Sequence, residues 1–477
     1  MIRIFRHYIS RWSVFLVVLE AALFFGAVYA GVGIRFSGFS DLEAGLVEVL
    51  FPRAVFFALV MVVSMAATGR YQRVMVDGFT GEVLNVTLSF IIGLVAISLQ
   101  FYVFPDLLIG RGSFGYTLTL AWAGVLLVRW FFIHHIFDVA NLKRRVLVIG
   151  TGNNARLVWE RSQRARTDHL ILGFWPVAGC PEAVPRQQLL EGGEDLAECV
   201  ARLMVDEVVV ATDEPLSAMY MSDIMTCKSN GVRILDLLAF FEREDRVIDM
   251  EILDAQWWIF NADGVGPGPV RAASKKVFDV VISLLLLSLT WPLMLFTALA
   301  ILVESGRPVF YAQRRVGYGG KIFTVLKFRS MYADAEKDGV ARWVSRGDAR
   351  VTRVGRFIRA SRIDELPQFF NVLRGEMSLV GPRPERPEFV EPLRRKIPFY
   401  AERLRVKPGI TGWAQISYGY GASDADAAEK LKYDLYYVKN QSFFLDLLVL
   451  VLSVEVVLFG RGVEGPRDRG GSAGMAK

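Results

Sequence analysis

The chain has 477 residues, 53% of them hydrophobic, and a mean hydropathy of +0.35; this length allows two or three domains, and this hydrophobicity argues against an ordinary soluble protein. A formal net charge of +6 and a pI of about 9.1 suit anionic lipid headgroups or phosphorylated substrates, and no standard nucleic-acid module is present, so nucleic acid is not an expected partner. The three cysteines, Cys180, Cys199 and Cys227, are odd in number and lack CxxC spacing, which excludes a disulfide framework and points to a reducing compartment.

The basic N-terminus, MIRIFRHYISRW, leads into an apolar run from Val14 to Ile34. That run is long for a signal peptide and has no small-residue cleavage site followed by a polar chain, so a retained membrane helix is expected. Four apolar segments, 13–34, 46–67, 84–104 and 115–137, are each near the roughly 20 residues that cross a bilayer. Glu20 and Glu48 read as polar packing contacts rather than a transport path. His134 and His135, beside Arg129, read as interfacial anchors, since no matching ligand cluster lies nearby. Arg3, Arg6, Arg11, Arg70, Arg73, Lys143, Arg144 and Arg145 outweigh Arg35, Arg53 and Arg111 on the opposite connections. The positive-inside rule then puts both ends of a four-helix bundle, residues 1–142, in the cytoplasm, with everything after 143 on that side.

Residues 143–265 alternate short strand patterns (RRVLVIG, LILGFWPV, DEVVVAT, VRILDL) with helical stretches, which predicts a Rossmann-like α/β domain. The turn Gly150-Thr151-Gly152-Asn153-Asn154-Ala155 matches GxGxxA after a strand, a pattern that brings phosphate to a helix N-terminus. No acidic residue closes a second strand at the distance that would bind a ribose. A structural or regulatory domain and a nucleotide-binding one both remain open. Residues 261–270, NADGVGPGPV, read as a linker, a third domain runs over 271–465, and the Gly-rich tail 466–477 is expected to be disordered.

The apolar run 277–303 would span the membrane by length alone. Pro292 lies in its middle, and Arg271, Lys275 and Lys276 on one side match Arg307, Arg314 and Arg315 on the other. A backbone donor lost at Pro292 and cationic ends on both flanks fit a re-entrant helix that enters one leaflet and returns; a Pro-kinked span fits the run as well. A last apolar stretch, 443–460, carries Asp446 and Glu455, which make a span costly and predict an amphipathic helix lying on the membrane.

The chemistry concentrates in SRIDELPQFFNVLRGEMSLVGPRPERPEFV, residues 361–390. Pro367 is tolerated only in a first helical turn, so Asp364 and Glu365 should sit at or just before a helix N-terminus, where both can face one site. N-terminal capping accounts for the pair equally well taken alone. Lys327, Arg329, Arg353, Arg356, Arg359, Arg362, Arg383 and Arg386 crowd the same stretch, and Pro382, Pro384 and Pro387 stiffen the turn that presents Arg383 and Arg386. Two carboxylates amid arginines match a pyrophosphate site with room for a divalent metal.

Four ordered motifs, KKVFDVVISLLLLSLTWPLMLF, RPVFYAQRRVGYGGKIFTVLKFRSM, SRIDELPQFFNVLRGEMSLVGPRPERPEF and RLRVKPGITGWAQISYG, make residues 271–465 resemble the bacterial polyprenyl-phosphate sugar-phosphate transferases. These are the monotopic phosphoglycosyl transferases that initiate exopolysaccharide and O-antigen synthesis, and the bundle and α/β domain match their large members. The resemblance implies a membrane protein of α plus α/β architecture: a four-helix bundle, a Rossmann-like domain, and a mostly helical catalytic domain with a re-entrant helix broken at Pro292. It further implies that Asp364 attacks the sugar-linked phosphate of a UDP-sugar, releases UMP and passes the phosphosugar to a polyprenyl-phosphate acceptor in a ping-pong reaction. On the same basis Asp364 and Glu365 would bind Mg2+. Lys327, Arg329, Arg362, Arg383 and Arg386 would line the phosphate site, and Lys407 and Trp413 of KPGITGWAQ would close it, Trp413 either stacking on uracil or packing in the core. The family often has Ser before the helix-breaking Pro; this chain has Trp291, so the break rests on Pro292 alone. The implied location is the bacterial inner membrane with the catalytic domain on its cytoplasmic face, the donor sugar a hexose such as glucose or galactose, and a homodimer is compatible with the larger relatives. A membrane-anchored nucleotide sensor or scaffold without turnover is the contrasting class.

Overall fold

The computed structural model describes residues 2–4, 7–9, 11–35, 44–68, 71, 78–103, 105–107, 109–132, 143–164, 169–177, 179–190, 195–214, 218–261, 268–332, 335, 350–419 and 423–459. Arg70, Arg73, His134, His135, most of the 261–270 linker and the 466–477 tail lie outside these residues, as does the side chain of Glu48. The chain divides into two units, 1–126 with 253–477, and 127–252.

A short antiparallel hairpin, β1 (Ile2–Ile4) and β2 (His7–Ile9), precedes four long helices: α1 (Arg11–Arg35), α2 (Ala44–Ala67), α3 (Gly78–Val103) and α4 (Arg111–Phe131). They coincide with the four apolar runs, because a run that long can satisfy its backbone away from water only as helix. Phe24, Val28, Phe57, Met61, Val86, Ala121 and Val125 fill the space between them. In the same interior Glu20 accepts a hydrogen bond from the Tyr71 hydroxyl at 2.7 Å, the polar packing contact expected of it. Four described helical stretches are long and apolar enough to cross a membrane: Val14–Arg35, Val49–Ala67, Gly112–Phe131 and Val270–Ser305; the apolar part of α3, Glu82–Ser98, is shorter.

The second unit holds a four-stranded parallel sheet in the order β4 (His169–Trp175), β3 (Arg144–Ile149), β5 (Glu207–Val210), β6 (Arg233–Asp236). Its strands are apolar runs because both faces are covered. Val146, Val148 and Phe174 pack with α5 (Asn153–Arg164) and α8 (Leu237–Asp245); Leu147, Ile149 and Trp175 pack with α6 (Leu196–Arg202) and α7 (Ala218–Ser229). At the N-terminal strand edge Glu207 is clasped by Arg243 at 2.7 Å and Arg144 at 3.0 Å, a buried cluster whose charges are mutually compensated.

In the first unit, α9 (Ala255–Asn261) docks through Trp258, whose indole N–H donates to Glu402 at 2.9 Å. Helix α10 (Pro269–Ser305) runs through Pro292 without interruption for 37 residues, so the break expected there is not present: only the one hydrogen bond that the Pro292 nitrogen cannot donate is lost. A β-hairpin follows, β7 (Phe310–Val316) with β8 (Ile322–Phe328), its turn closed by Gly319 and Gly320 at positive φ. Then come α11 (Arg353–Ala360), α12 (Gln368–Leu373), β9 (Ser378–Val380), α13 (Pro387–Lys396), β10 (Gly409–Thr411), α14 (Trp413–Ser417), α15 (Asp424–Asn440) and α16 (Phe443–Phe459), with β10 parallel to β9.

Helix α16 has one buried face and one exposed apolar face, the latter carrying Phe443, Leu447 and Val454. Leu445, Val449 and Leu452 are buried, and α16 packs on β9, β10, α14 and α2. Asp446, one of the charges that made a span costly, is buried and accepts hydrogen bonds at 2.7 Å from both Lys275 Nζ and the Tyr437 hydroxyl. A charge that finds a cation and a hydroxyl inside the fold no longer needs water.

Candidate active site

Helix α11 ends at Ala360, and Arg362 then takes a left-handed conformation, φ 59°. This reverses the chain into a single 3-10 turn, Ile363–Glu365, with Pro367 at the N-cap of α12. The missing N–H of Pro367 is harmless there, as the sequence predicted. The two carboxylates therefore stand in the turn just before α12. That helix is only six residues long, so the positive field around them comes mainly from side chains.

Three cations converge on one oxygen. Glu365 Oε1 accepts from Lys327 Nζ at 2.9 Å and from Arg383 Nη2 at 2.9 Å, and Arg362 Nη1 lies 3.8 Å away. Lys327 reaches it from β8, whose height against α12 is set by Asn371. This fully buried amide accepts from Leu326 N at 3.0 Å and donates to Thr324 O at 2.7 Å and to Glu376 at 2.7 Å. Asn371 thus stands in for a neighbouring strand along β8.

Asp364 is the opposite case. It is buried, and its Oδ1 has no hydrogen-bond partner among the described residues. Burial, reinforced by the negative charge of Glu365, pushes its carboxyl up to about 6, against the pull of Lys327, Arg362 and Arg359. Burial acts on Glu365 in the same sense but is outweighed by Lys327, Arg383 and Arg362, which hold it well below the usual carboxylate range. Burial also draws the Lys327 ammonium down, with Glu365 opposing. The environment separates the two acids: one locked ionised among cations, the other ionising near neutrality with a bare oxygen. A buried carboxylate of that kind, ringed by cations, can attack or deprotonate an electrophile that brings negative charge with it.

Two adjacent carboxylates, one with an unbonded oxygen, suit Mg2+, which takes one or two carboxylates and completes its shell with water and substrate phosphate. Among the described residues no group of three or more His, Cys, Asp or Glu forms a metal cage without such help.

The other residues singled out from sequence take varied places. Lys327, Arg362 and Arg383 meet at Glu365. Arg329 instead donates from Nη2 to the carbonyls of Ser305 and Gly306, each at 2.7 Å, and so caps the C-terminal end of α10. Arg386 opens α13, its Nε 3.6 Å from Glu388. Lys407 lies by the start of α10, where burial lowers its pKa, Asp279 opposes, and Lys276 and Lys275 add to the lowering. Trp413 is buried with its ring centroid 6.0 Å from that of Tyr436. Asn371, Arg403 and Asp434 were not singled out from sequence; a polar residue inside QFFNVL and an acid inside YDLYYV were the available signals, while Arg403 sits among other charges in AERLRVK and carried none.

In the second unit, the Gly150–Ala155 turn is occupied by the protein itself. Asp213 accepts from the backbone N–H of Asn153 and of Asn154, both at 2.8 Å, and Asn154 Nδ2 donates to Thr212 O at 3.0 Å. A Cβ on Gly152 would fall 2.2 Å from the Asp213 carboxylate, so this glycine admits a side chain from a distant part of the chain.

Comparison with known proteins places the first of these two regions. The family model described as bacterial sugar transferase matches residues 270–460. The UDP-N-acetylgalactosamine-undecaprenyl-phosphate N-acetylgalactosaminephosphotransferase of Aeromonas hydrophila is 48% identical over 196 residues, 41% of this chain and 46% of that protein. The undecaprenyl-phosphate glucose phosphotransferase of Komagataeibacter xylinus is 33% identical over 349 residues, 69% of this chain and 62% of its own length. The UDP-glucose:undecaprenyl-phosphate glucose-1-phosphate transferase of Caulobacter vibrioides is 43% identical over 197 residues, 40% of this chain and 73% of that protein. The first two matches span less than two thirds of those relatives' length.

Proposed function

The chain belongs to the bacterial sugar transferase family, and from that premise we propose that it moves a sugar 1-phosphate from a UDP-sugar to undecaprenyl phosphate through a covalent intermediate on Asp364. The observation that carries this reading is the buried Asp364 carboxylate, unbonded at Oδ1 and ionising near neutrality beside Lys327, Arg362 and Glu365.

In the first step Asp364 attacks the sugar-bearing phosphorus. The bond from that phosphorus to the bridging oxygen breaks, and UMP leaves with the electron pair. In the second, an oxygen of the lipid phosphate attacks the same phosphorus, the aspartyl–phosphorus bond breaks, and the carboxylate is restored. Two displacements replace one between two anions. Lys327 and Arg383, held by Glu365, offset the charge carried in by the pyrophosphate. Asp364 and Glu365 would hold Mg2+ together with substrate phosphate, and the bound ion would withdraw charge from the phosphoryl group. The donor is a UDP-hexose or UDP-N-acetylhexosamine, in keeping with the glucose and N-acetylgalactosamine named for the relatives.

The membrane arrangement belongs to the same reading. We take α10 to be re-entrant, bending at Pro292 while staying helical, with the catalytic residues 271–465 on the cytoplasmic face. Two observations support this. Straight, 37 residues extend about 55 Å, well beyond a hydrocarbon core of about 30 Å. Both ends are also tied to elements of the catalytic region: Lys275 to Asp446 and Val380, and Asp279 to Leu379 N, at one end; Glu304 to Arg353 N and Val354 N, and Ser305 to Arg329, at the other. The bundle 1–142 anchors the enzyme, and the α/β domain 143–265, which we take to be Rossmann-like, serves structure: Asp213 already fills its phosphate turn, which weighs against a nucleotide sensor without turnover.

The test is UMP release from UDP-glucose and UDP-N-acetylgalactosamine with undecaprenyl phosphate and Mg2+, and mass analysis of the acid-quenched protein without acceptor. A phosphosugar adduct on Asp364 is expected; lipid product formed without any adduct would mean direct transfer. Single cysteines at 271 and 307 should label from the same membrane side, and opposite-side labelling would remove the re-entrant helix.

A further inference from the structure

The turn that presents Arg383 cannot hold its own shape by ordinary hydrogen bonds. Pro382 and Pro384 have no N–H, while Gly381, Pro382 and Pro384 are buried, and buried carbonyls need donors. Four consecutive carbonyls are each met from elsewhere in the chain: Pro382 O by Gly409 N at 3.0 Å, Arg383 O by Arg403 Nη2 at 2.9 Å, Pro384 O by Arg315 Nη1 at 2.9 Å, and Glu385 O by Val316 N at 2.9 Å. Two of these donors are backbone groups of neighbouring strands. The other two are arginines, and each is itself fixed. Arg315 donates to Gln313 Oε1 from Nε at 3.0 Å and from Nη2 at 2.6 Å. Arg403 is buried, pairs with the buried Asp434 at 2.8 Å and donates to the Tyr400 hydroxyl at 2.8 Å.

We propose that Arg403, locked by Asp434 and Tyr400, is a positioning residue for the transfer reaction: it holds the carbonyl of Arg383 so that this guanidinium meets Glu365 and the incoming phosphate. The proposal rests on the phosphosugar-transfer reading above. It assigns to a buried ion pair a task beyond stability. A structural pair can be exchanged for apolar side chains of similar volume with little loss, whereas a carbonyl clamp cannot, because only a donor at that point reaches Arg383 O. A displacement of about 1 Å at a phosphate-binding group costs on the order of 10²-fold in rate.

The experiment compares wild type, Arg403→Met, Asp434→Leu and the double variant, each with and without Arg383→Ala, in the full-length membrane enzyme. Readouts are thermal midpoint, and kcat and KM for whichever of UDP-glucose or UDP-N-acetylgalactosamine the wild type turns over. The single variants should lose thermal stability and the double variant should regain most of it. Its kcat should nevertheless stay about 10²-fold down, and Arg383→Ala should then add little, because Arg383 is already displaced. Arg403→Lys, which keeps the charge on Asp434 but cannot span both Tyr400 and the carbonyl, should fold and show the same rate loss; it decides the matter if the double variant is not folded. Full rate in a stable double variant or in Arg403→Lys, or an undiminished cost of Arg383→Ala in either, would overturn the proposal. Absence of UMP release from the wild type on either sugar nucleotide is a different outcome, and would remove the transfer reading and this proposal together.

Discussion

Two aspartates, Asp213 and Asp364, stand at turns that lead into helices, and they differ in what surrounds their oxygens. Asp213 lies at the surface, yet both its oxygens accept backbone N–H groups at 2.8 Å. Asp364 is buried, yet Oδ1 accepts nothing among the described residues. A fold minimising its own free energy would arrange the reverse, since burial is where an unmet polar atom is costly. The turn that looks like a ligand site by its glycines is closed by the chain, and the turn that looks like a helix cap keeps a buried carboxylate oxygen bare. Unsatisfied burial, more than motif, separates the two.

The largest effect expected from breaking this contrast is on turnover. Asp364→Asn should lower UMP release by about 10³-fold or more, with no adduct by mass. It should also stabilise the fold. Burial raises the folded-state pKa above the ordinary 3.8 to about 6, so the fold favours the protonated acid. Wild type therefore loses stability as pH climbs from about 4 to about 6 and stays lower above that. The Asn variant should gain about 1–3 kcal/mol above pH 6 and nothing near pH 3.5, as thermal midpoints across pH would register.

The same ionisation sets a pH dependence of the chemical step. The first-turnover burst of UMP should rise through pH 6 and level off above 7, with about a tenth of the plateau at pH 5. A burst constant from pH 5 to 8 would mean that Asp364 is ionised throughout. Third in size is Glu365→Gln, which leaves Lys327 and Arg383 facing each other without their shared anion. A loss of about 1–3 kcal/mol is expected, kept modest because Arg383 is 31% exposed; denaturation of the purified variant checks it. The smallest effect belongs to the satisfied turn. Asp213→Ala should cost about 1 kcal/mol of stability, as loss of a helix-capping carboxylate does, and leave UMP release unchanged. A rate change there would show that the α/β domain communicates with the chemistry.

Much of the molecule was legible beforehand. The four bundle helices fall on the four apolar runs, the α/β strands on RRVLVIG, LILGFWPV, DEVVVAT and VRILDL, and the carboxylate pair on the turn that Pro367 demands. These are local statements: a run's length and period decide whether its own backbone and side chains can be buried. The cation-rich setting of Glu365 was also visible, as composition. Which cation serves which partner was not. Lys327 and Arg329 are two residues apart on one segment, yet one meets Glu365 and the other caps α10.

Tertiary structure alone decided where each polar group finds its complement. Asp446 was only a charge that made a span costly until Lys275, 171 residues away, was found beside it; the glycine turn was open until Asp213 filled it; Arg383 was a loop arginine until Arg403 was seen to hold its carbonyl. Burial patterns are written along the chain because each residue carries its own hydrophobicity. The partner of a hydrogen bond or an ion pair is not, because that energy depends on two groups being brought within about 3 Å by everything folded between them.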